Sequence, residues 1–395
     1  MSRIAFFCIP AHGHTNPTLE VVKELIRQGH EVKYYSYECM KDKIINTGAE
    51  YISCDAYDYE QSISPSDGKK IAEDMSFAME VLVNSTLAMD EALLEEIKKW
   101  KPDCIVADSM AIWGKFIAQK LKISFVSSTT TFAFNQQSSK VMQGNIKDLF
   151  KVIWQMGKSK KHLRRLQEKG YPIKNVLDII QNDNETHTIV YTSPEFQPCA
   201  ETFSDKYVFV GPSIRPVTSE IKKIREKLIY ISMGTVNNDM LLFYKNCIHA
   251  LKDTDYQVIL CVGNQISLDE LSALIKLEDI RAEILIVPFI DQIAVLEKAD
   301  VFLSHCGMNS VSEALYYEVP LVMFPQTNEQ KGVAFRVDEL GAGVYLKDTS
   351  VERIKEAFST VIVDSAYKKQ AKEISEGFKK CGGYKAAVEK ILSVI

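Results

Sequence analysis

The chain of 395 residues has no apolar run near the roughly twenty residues that span a bilayer, so no membrane-crossing helix is expected. Nor is there a surplus of positive charge. Lys and Arg number 47 against 52 Asp and Glu, the net charge is −5 and the signs are interspersed, so nothing points to nucleic acid as a partner. Nine cysteines are scattered without a CxxC pair or a His/Cys cluster at metal spacing. They read as reduced thiols in strands, as at Cys8, Cys104 and Cys261. Residues 3–9 read as a first strand and are too short for a signal peptide, so a cytoplasmic protein is expected. No Gly-x-Gly-x-x-Gly follows a strand, since residues 10–15 hold only Gly13; this disfavours a nicotinamide dehydrogenase. The absence of a Walker motif excludes a P-loop NTPase.

What is present is a 46% hydrophobic composition and room for two domains, each with a sizeable core. Buried strand candidates at 3–9, 31–36, 104–107 and 124–127 alternate with amphipathic helices at 17–28, about 70–99 and 112–120. A second series places strands at 228–232, 256–261, 282–287, 300–303 and 321–324 among helices at about 240–251, 308–317 and 328–340. Such alternation implies two doubly wound, parallel-sheet α/β domains, and two of them facing each other leave a cleft. The expected boundaries are 1–212, a linker at 213–227, 228–375, and a C-terminal helix at 376–395, with a break at Gly382-Gly383. The segment 138–169 is rich in Lys and Arg around clustered apolar residues such as Trp154 and Met156. It reads either as a solvated helix packing its apolar side over a cleft or as a peripheral membrane contact, in both cases a candidate acceptor wall.

Residues 289–330 carry the most information. Residues 300–303 read as a buried strand and 308–317 as a helix, so Ser304 to Gly307 form the corner between them. Helix-start N–H groups point outward with about half a positive charge, which suits a diphosphate. Gly307 permits close approach, and His305, Asn309 and Ser310 add donors. The same corner also serves as an ordinary strand–helix turn, with Glu313 a carboxylate that matches the helix dipole.

At the end of the first strand, Pro10 to Pro17 form a loop on the ligand-binding edge of a parallel sheet, with Asn16 as N-cap and Pro17 at N1 of the next helix. His14 in this loop is either structural or a base; His12 is its neighbour. Asp108 ends the strand 104–107 on the same edge, either as a partner for His14 or as an N-cap for helix 112–120. Ile231-Ser232-Met233-Gly234-Thr235 ends the first strand of the second half. Asp253-Thr254-Asp255 matches an Asp-x-Asp metal motif but precedes its strand, which makes it a turn on the wrong edge.

His305-Cys306-Gly307-x-Asn309-Ser310-x-x-Glu313, with Gln292 and the Glu329-Gln330 pair at their spacing, resembles the signature of the inverting UDP-dependent glycosyltransferases, a family that includes macrolide and plant secondary-metabolite enzymes. The resemblance implies a GT-B fold whose last helix crosses back to the N-terminal domain. It also implies a UDP-sugar donor held by Ser232, Gly234, Thr235, Phe289, Ile290, Gln292, His305, Gly307, Asn309, Ser310, Glu313, Glu329 and Gln330. By the same resemblance Gly13-His14-x-Asn16-Pro17 is the base motif, with Asp108 partnering His14, and transfer inverts the anomeric carbon without a metal or other cofactor. Three positions depart from the pattern: Phe289 stands for the usual Trp, Asp291 for Pro, and Glu329 for Asp. The extra methylene at Glu329 leaves the sugar open, with glucose the default. A small hydrophobic acceptor is expected against residues 60–90 and 130–170 (Phe77, Met79, Phe132, Phe134, Met142, Trp154), residues that core packing explains as well. A monomer or weak homodimer is expected. The alternatives are a glycolipid-forming transferase at a membrane surface, a non-catalytic nucleotide-sugar-binding subunit, and a UDP-sugar 2-epimerase.

Overall fold

Apolar strands alternating with amphipathic helices build two parallel sheets. The computed structural model describes residues 1–57, 74–135, 137–138, 161–171, 173, 182–234, 240–277 and 279–395. The chain divides into one unit of Met1–Ile214 with Phe378–Ile395 and a second of Arg215–Gly377.

In the first unit the strands are β1 (Arg3–Phe7), β2 (Glu31–Ser36), β3 (Glu50–Ser53), β4 (Cys104–Asp108), β5 (Ser124–Thr129), β6 (Thr188–Val190) and β7 (Tyr207–Phe209). They pair in parallel in the order β3-β2-β1-β4-β5-β6-β7. The winding direction reverses between β1 and β4, and ligand sites of open parallel sheets lie at the carboxyl ends of such neighbours. Register pairs Phe7 with Ala107 and Asp108 with Ser128, which brings the ends of β1, β4 and β5 together at that point. Burial on both faces explains why the central strands β1 and β4 read as mostly apolar runs. Phe7, Tyr35, Leu93, Ile105 and Trp113 fill one side. Phe6, Val22, Leu25 and Val106 fill the other together with Val388 and Ile391. Those last two belong to the helix Tyr384–Leu392, so the C-terminal helix returns to the N-terminal unit, as the resemblance implied.

In the second unit β8 (Leu228–Ser232), β9 (Gln257–Cys261), β10 (Glu283–Val287), β11 (Val301–Ser304), β12 (Leu321–Met323) and β13 (Gly343–Tyr345) pair in parallel in the order β10-β9-β8-β11-β12-β13. Here the reversal falls between β8 and β11. Ser232 pairs with Ser304, so the turns that follow the two strands are neighbours.

One local expectation needs correction. The helix after β1 spans His12–Arg27 with Ala11 at its N-cap, so Asn16 is not a cap and Pro17 lies inside the helix. The amides of His14 and Thr15 already bond the Ala11 carbonyl at 3.0 and 2.9 Å, so the helix has closed before Pro17 is reached. A proline this near the start removes one backbone bond only, and the Thr18 hydroxyl donates to the Thr15 carbonyl at 2.8 Å.

Of the basic segment 138–169, residues 138 and 161–169 are described, and 161–168 are helical. This helix buries His162, Leu163 and Leu166, with both leucines in the core that holds Met79, Leu82 and Val83. Residues 139–160, with Met142 and Trp154, lie outside the described residues, as do 60–73 of the expected acceptor wall. Among the described residues no helix is long and apolar enough to cross a membrane.

Candidate active site

The first chemical centre is built where β1, β4 and β5 end. His14 occupies the first turn of the helix His12–Arg27, and its Nδ1 lies 2.8 Å from Oδ2 of Asp108. The Asp108 side chain is fully buried while the His14 ring keeps about a fifth of its surface exposed (21%). The other carboxylate oxygen, Oδ1, accepts from the amide of Met110 at 2.9 Å, so the carboxylate is fixed by its own turn. It does not cap the following helix, whose N-cap is Ala111. Thr130, one residue past β5, places its Oγ1 3.2 Å from the same ring nitrogen. An imidazole with a buried carboxylate at Nδ1 has the geometry to exchange a proton through Nε2, because such a carboxylate stabilises an imidazolium. His12 is held differently. Its Nδ1 lies 3.1 Å from Nζ of Lys43, which also donates to Asn16 at 3.1 Å. Burial and the lysine cation lower its pKa.

The second centre follows β8 and β11. Cys306 takes a left-handed backbone, φ 66°, in the corner between β11 and the helix Met308–Tyr316, a conformation that costs a non-glycine residue energy. Gly307 stands at the N-cap and contributes no side-chain cap, so the helix start keeps its positive end for a ligand. The His305 ring lies between two glycines. A Cβ on Gly234 would sit 2.6 Å from its Cε1, and one on Gly307 2.7 Å from its Nε2. Burial lowers its pKa to about 4, so the ring can donate a hydrogen bond near neutral pH without adding charge. Ser232 ends β8 with its Oγ accepting from the Gly234 amide at 3.4 Å. Thr235 lies outside the described residues.

Beside the helix start, Gln292 donates to Glu313 at 2.6 Å and reaches Ser310 at 3.4 Å, while its amide oxygen accepts from Tyr230 at 3.3 Å. Desolvation raises the Glu313 carboxyl to about 7 against the lowering pull of that Gln292 bond. Glu313 sits in the second turn of its helix, so the reading as a first-turn dipole partner does not hold. Phe289, just past β10, leaves 62% of its surface exposed, as a flat platform must. Glu329 is exposed in the first turn of the helix Asn328–Glu339. Its neighbour Gln330 makes a capping box with Thr327, and its Oε1 accepts from the amides of Gln326 and Thr327 at 2.7 and 3.1 Å. Gln330 can therefore offer a ligand its Nε2 donor, but its oxygen is committed. Asp255 of the Asp-Thr-Asp string pairs with Arg225 and Arg281 ahead of β9.

Sequence reasoning missed Thr130 and Arg215. Arg215 forms an ion pair with Asp291, the residue that caps the short helix Gln292–Leu296.

A parallel-sheet unit with a phosphate-ready helix start, joined to one carrying a His–Asp pair, defines a nucleotide-sugar transferase. Comparison with known proteins gives the same class. Residues 246–380 match the family described as erythromycin biosynthesis protein CIII-like, C-terminal domain. The uncharacterized UDP-glucosyltransferase YojK of Bacillus subtilis (strain 168) is 32% identical over 100% of this chain and 98% of its own. The NDP-glycosyltransferase YjiC of the same organism is 35% identical over 98% of this chain and 96% of its own. The crystal structure of CalG4, the calicheamicin glycosyltransferase, superposes with a TM-score of 0.82 at 25% identity, covering 100% of this chain and 98% of that one. The chain belongs to the UDP-glycosyltransferase family, with its GT-B fold, and is a glycosyltransferase.

Proposed function

We propose that the protein transfers a hexose, glucose by default, from a UDP-sugar to a hydroxyl of a small, largely apolar acceptor, inverting the anomeric carbon and using no metal. The observation that carries this reading is the 2.8 Å contact between His14 and the buried Asp108. An alcohol is a poor nucleophile at pH 7, and a general base contributes roughly 10²–10⁴ in rate. Nε2 of His14 takes the hydroxyl proton as the acceptor oxygen bonds to the anomeric carbon. The bond from that carbon to the phosphate oxygen breaks, and its electron pair leaves with UDP. Asp108 stabilises the imidazolium meanwhile. The helix start at Gly307, with His305, Asn309 and Ser310, supplies fixed donors for the charge that grows on the leaving diphosphate, which is why no metal is invoked. The donor assignment draws support from the exposed Phe289 ring, from the Glu313–Gln292 pair and from the name of the Bacillus relative YojK. A small acceptor is in keeping with the calicheamicin glycosyltransferase.

The test is His14→Ala. UDP binding should survive while sugar transfer falls by at least about 10²-fold. Transfer at the wild-type rate would remove His14 from the mechanism, and a protein without transferase activity that still binds UDP-sugar would point to a binding subunit.

A further inference from the structure

Asp291 holds more partners than an N-cap needs. Its Oδ1 receives Arg215 Nη2 and, at 3.4 Å, the Ala294 amide that begins the helix Gln292–Leu296. Its Oδ2 receives Arg215 Nη1 at 3.3 Å, the Thr218 hydroxyl at 3.0 Å and the Ser219 hydroxyl at 2.9 Å. That uses the acceptor capacity of a carboxylate in full. The Asp291 side chain is 13% exposed, and Arg215 and its neighbours belong to a stretch without helix or strand. An irregular segment is thus pinned to one carboxylate 72 to 76 residues further along the chain. The carboxylate lies between Phe289-Ile290 and Gln292, the platform and the residue that holds Glu313.

We infer that Arg215 is a positioning residue for the donor nucleotide: clamped on Asp291, it fixes the 289–292 corner so that the Phe289 ring and the Gln292–Glu313 pair meet base and ribose in one geometry. The inference rests on the reading of 289–313 as the donor site. A bidentate guanidinium on a carboxylate sets angle as well as distance, which an N-cap alone does not. Preorganisation of this kind acts on donor binding and leaves proton transfer at His14 unchanged.

The test uses the full chain and begins with titration of wild-type protein with UDP; absence of binding would remove the donor assignment itself. Given binding, Arg215→Ala and Asp291→Ala should each weaken UDP and raise the donor KM by about tenfold, with kcat changed by less than about threefold and the acceptor KM unmoved. The double variant should be no worse than either single one, because both break one contact. Arg215→Lys should recover part of the loss. Thr218→Val removes a single hydroxyl from the carboxylate and is the milder variant should a truncation fail to fold; it should raise the donor KM by about threefold. An unchanged donor KM in folded Arg215→Ala, or donor and acceptor KM rising together with a lowered Tm, would overturn the assignment.

Discussion

His12 and His14 stand two residues apart, and the side chains they meet give them opposite roles. His12 faces the Lys43 ammonium, which with burial disfavours its charged form; His14 faces the buried Asp108 carboxylate at 2.8 Å. Glu313 shows the complementary effect. Its carboxyl titrates at about 7 against an ordinary value of 4.5 because burial penalises the charge. A carboxyl raised on folding supports the fold fully below its unfolded value, and that support is lost as pH rises through the folded value. Glu313→Gln cannot ionise and keeps an acceptor for Gln292. Its stability relative to wild type should therefore grow between pH 4.5 and 7, by at most about 1.4 kcal/mol per pH unit. Urea melts across that range check this, and an advantage that is flat with pH would show that the carboxylate is adequately solvated. The sequence could nominate Glu313 through its place in the motif. It could not show the desolvation of its carboxyl or the Gln292 contact made from a separate short helix.

Among elements, strand-to-helix corners were the most legible, since a buried run followed by Gly and small polar residues admits few alternatives. The ends of elements were less so. Asn16-Pro17 carries an N-terminal signature, yet the helix begins at His12, after an Ala11 N-cap that offers no side-chain bond. β3, β6, β7 and β13 were not anticipated, because three or four residues are too few to show a period. Thr327 and Gln330 form a capping box, a role for Gln330 separate from the sugar contact that the resemblance implies. The Arg215–Asp291 clamp joins residues 76 apart, and no local pattern announces it. The corner after β11 also makes a prediction. Gly307 has φ −61°, which alanine tolerates, so among the described residues the nearest obstacle to Gly307→Ala is the His305 ring. The substitution should cost about 1–3 kcal/mol and weaken UDP. Adding His305→Ala should return most of that cost, which denaturation of the four-member cycle would measure. Gly234→Ala should not be rescued, because φ 79° strains any side chain there regardless of the ring.

At the scale of the whole molecule, the chain passes between the two units twice, after Ile214 and after Gly377, so the first unit is completed only after the second has been made. The helix Tyr384–Leu392 buries Ala387, Val388 and Ile391 against Val21, Val22 and Leu25. Ser124, the first residue of β5, donates to the carbonyl of Val394 at 2.7 Å. Ile391 is fully buried, and its replacement by alanine leaves a cavity, so Ile391→Ala should destabilise by about 2–5 kcal/mol. That loss belongs to the sheet β1–β7. Amide hydrogen exchange of the variant should show protection falling in those strands and in the helix His12–Arg27, while β8–β13 retain wild-type protection and UDP still binds. Equal loss in both sheets would mean that the units open as one cooperative body, in which case the His14–Asp108 pair and the donor corner would share a single stability.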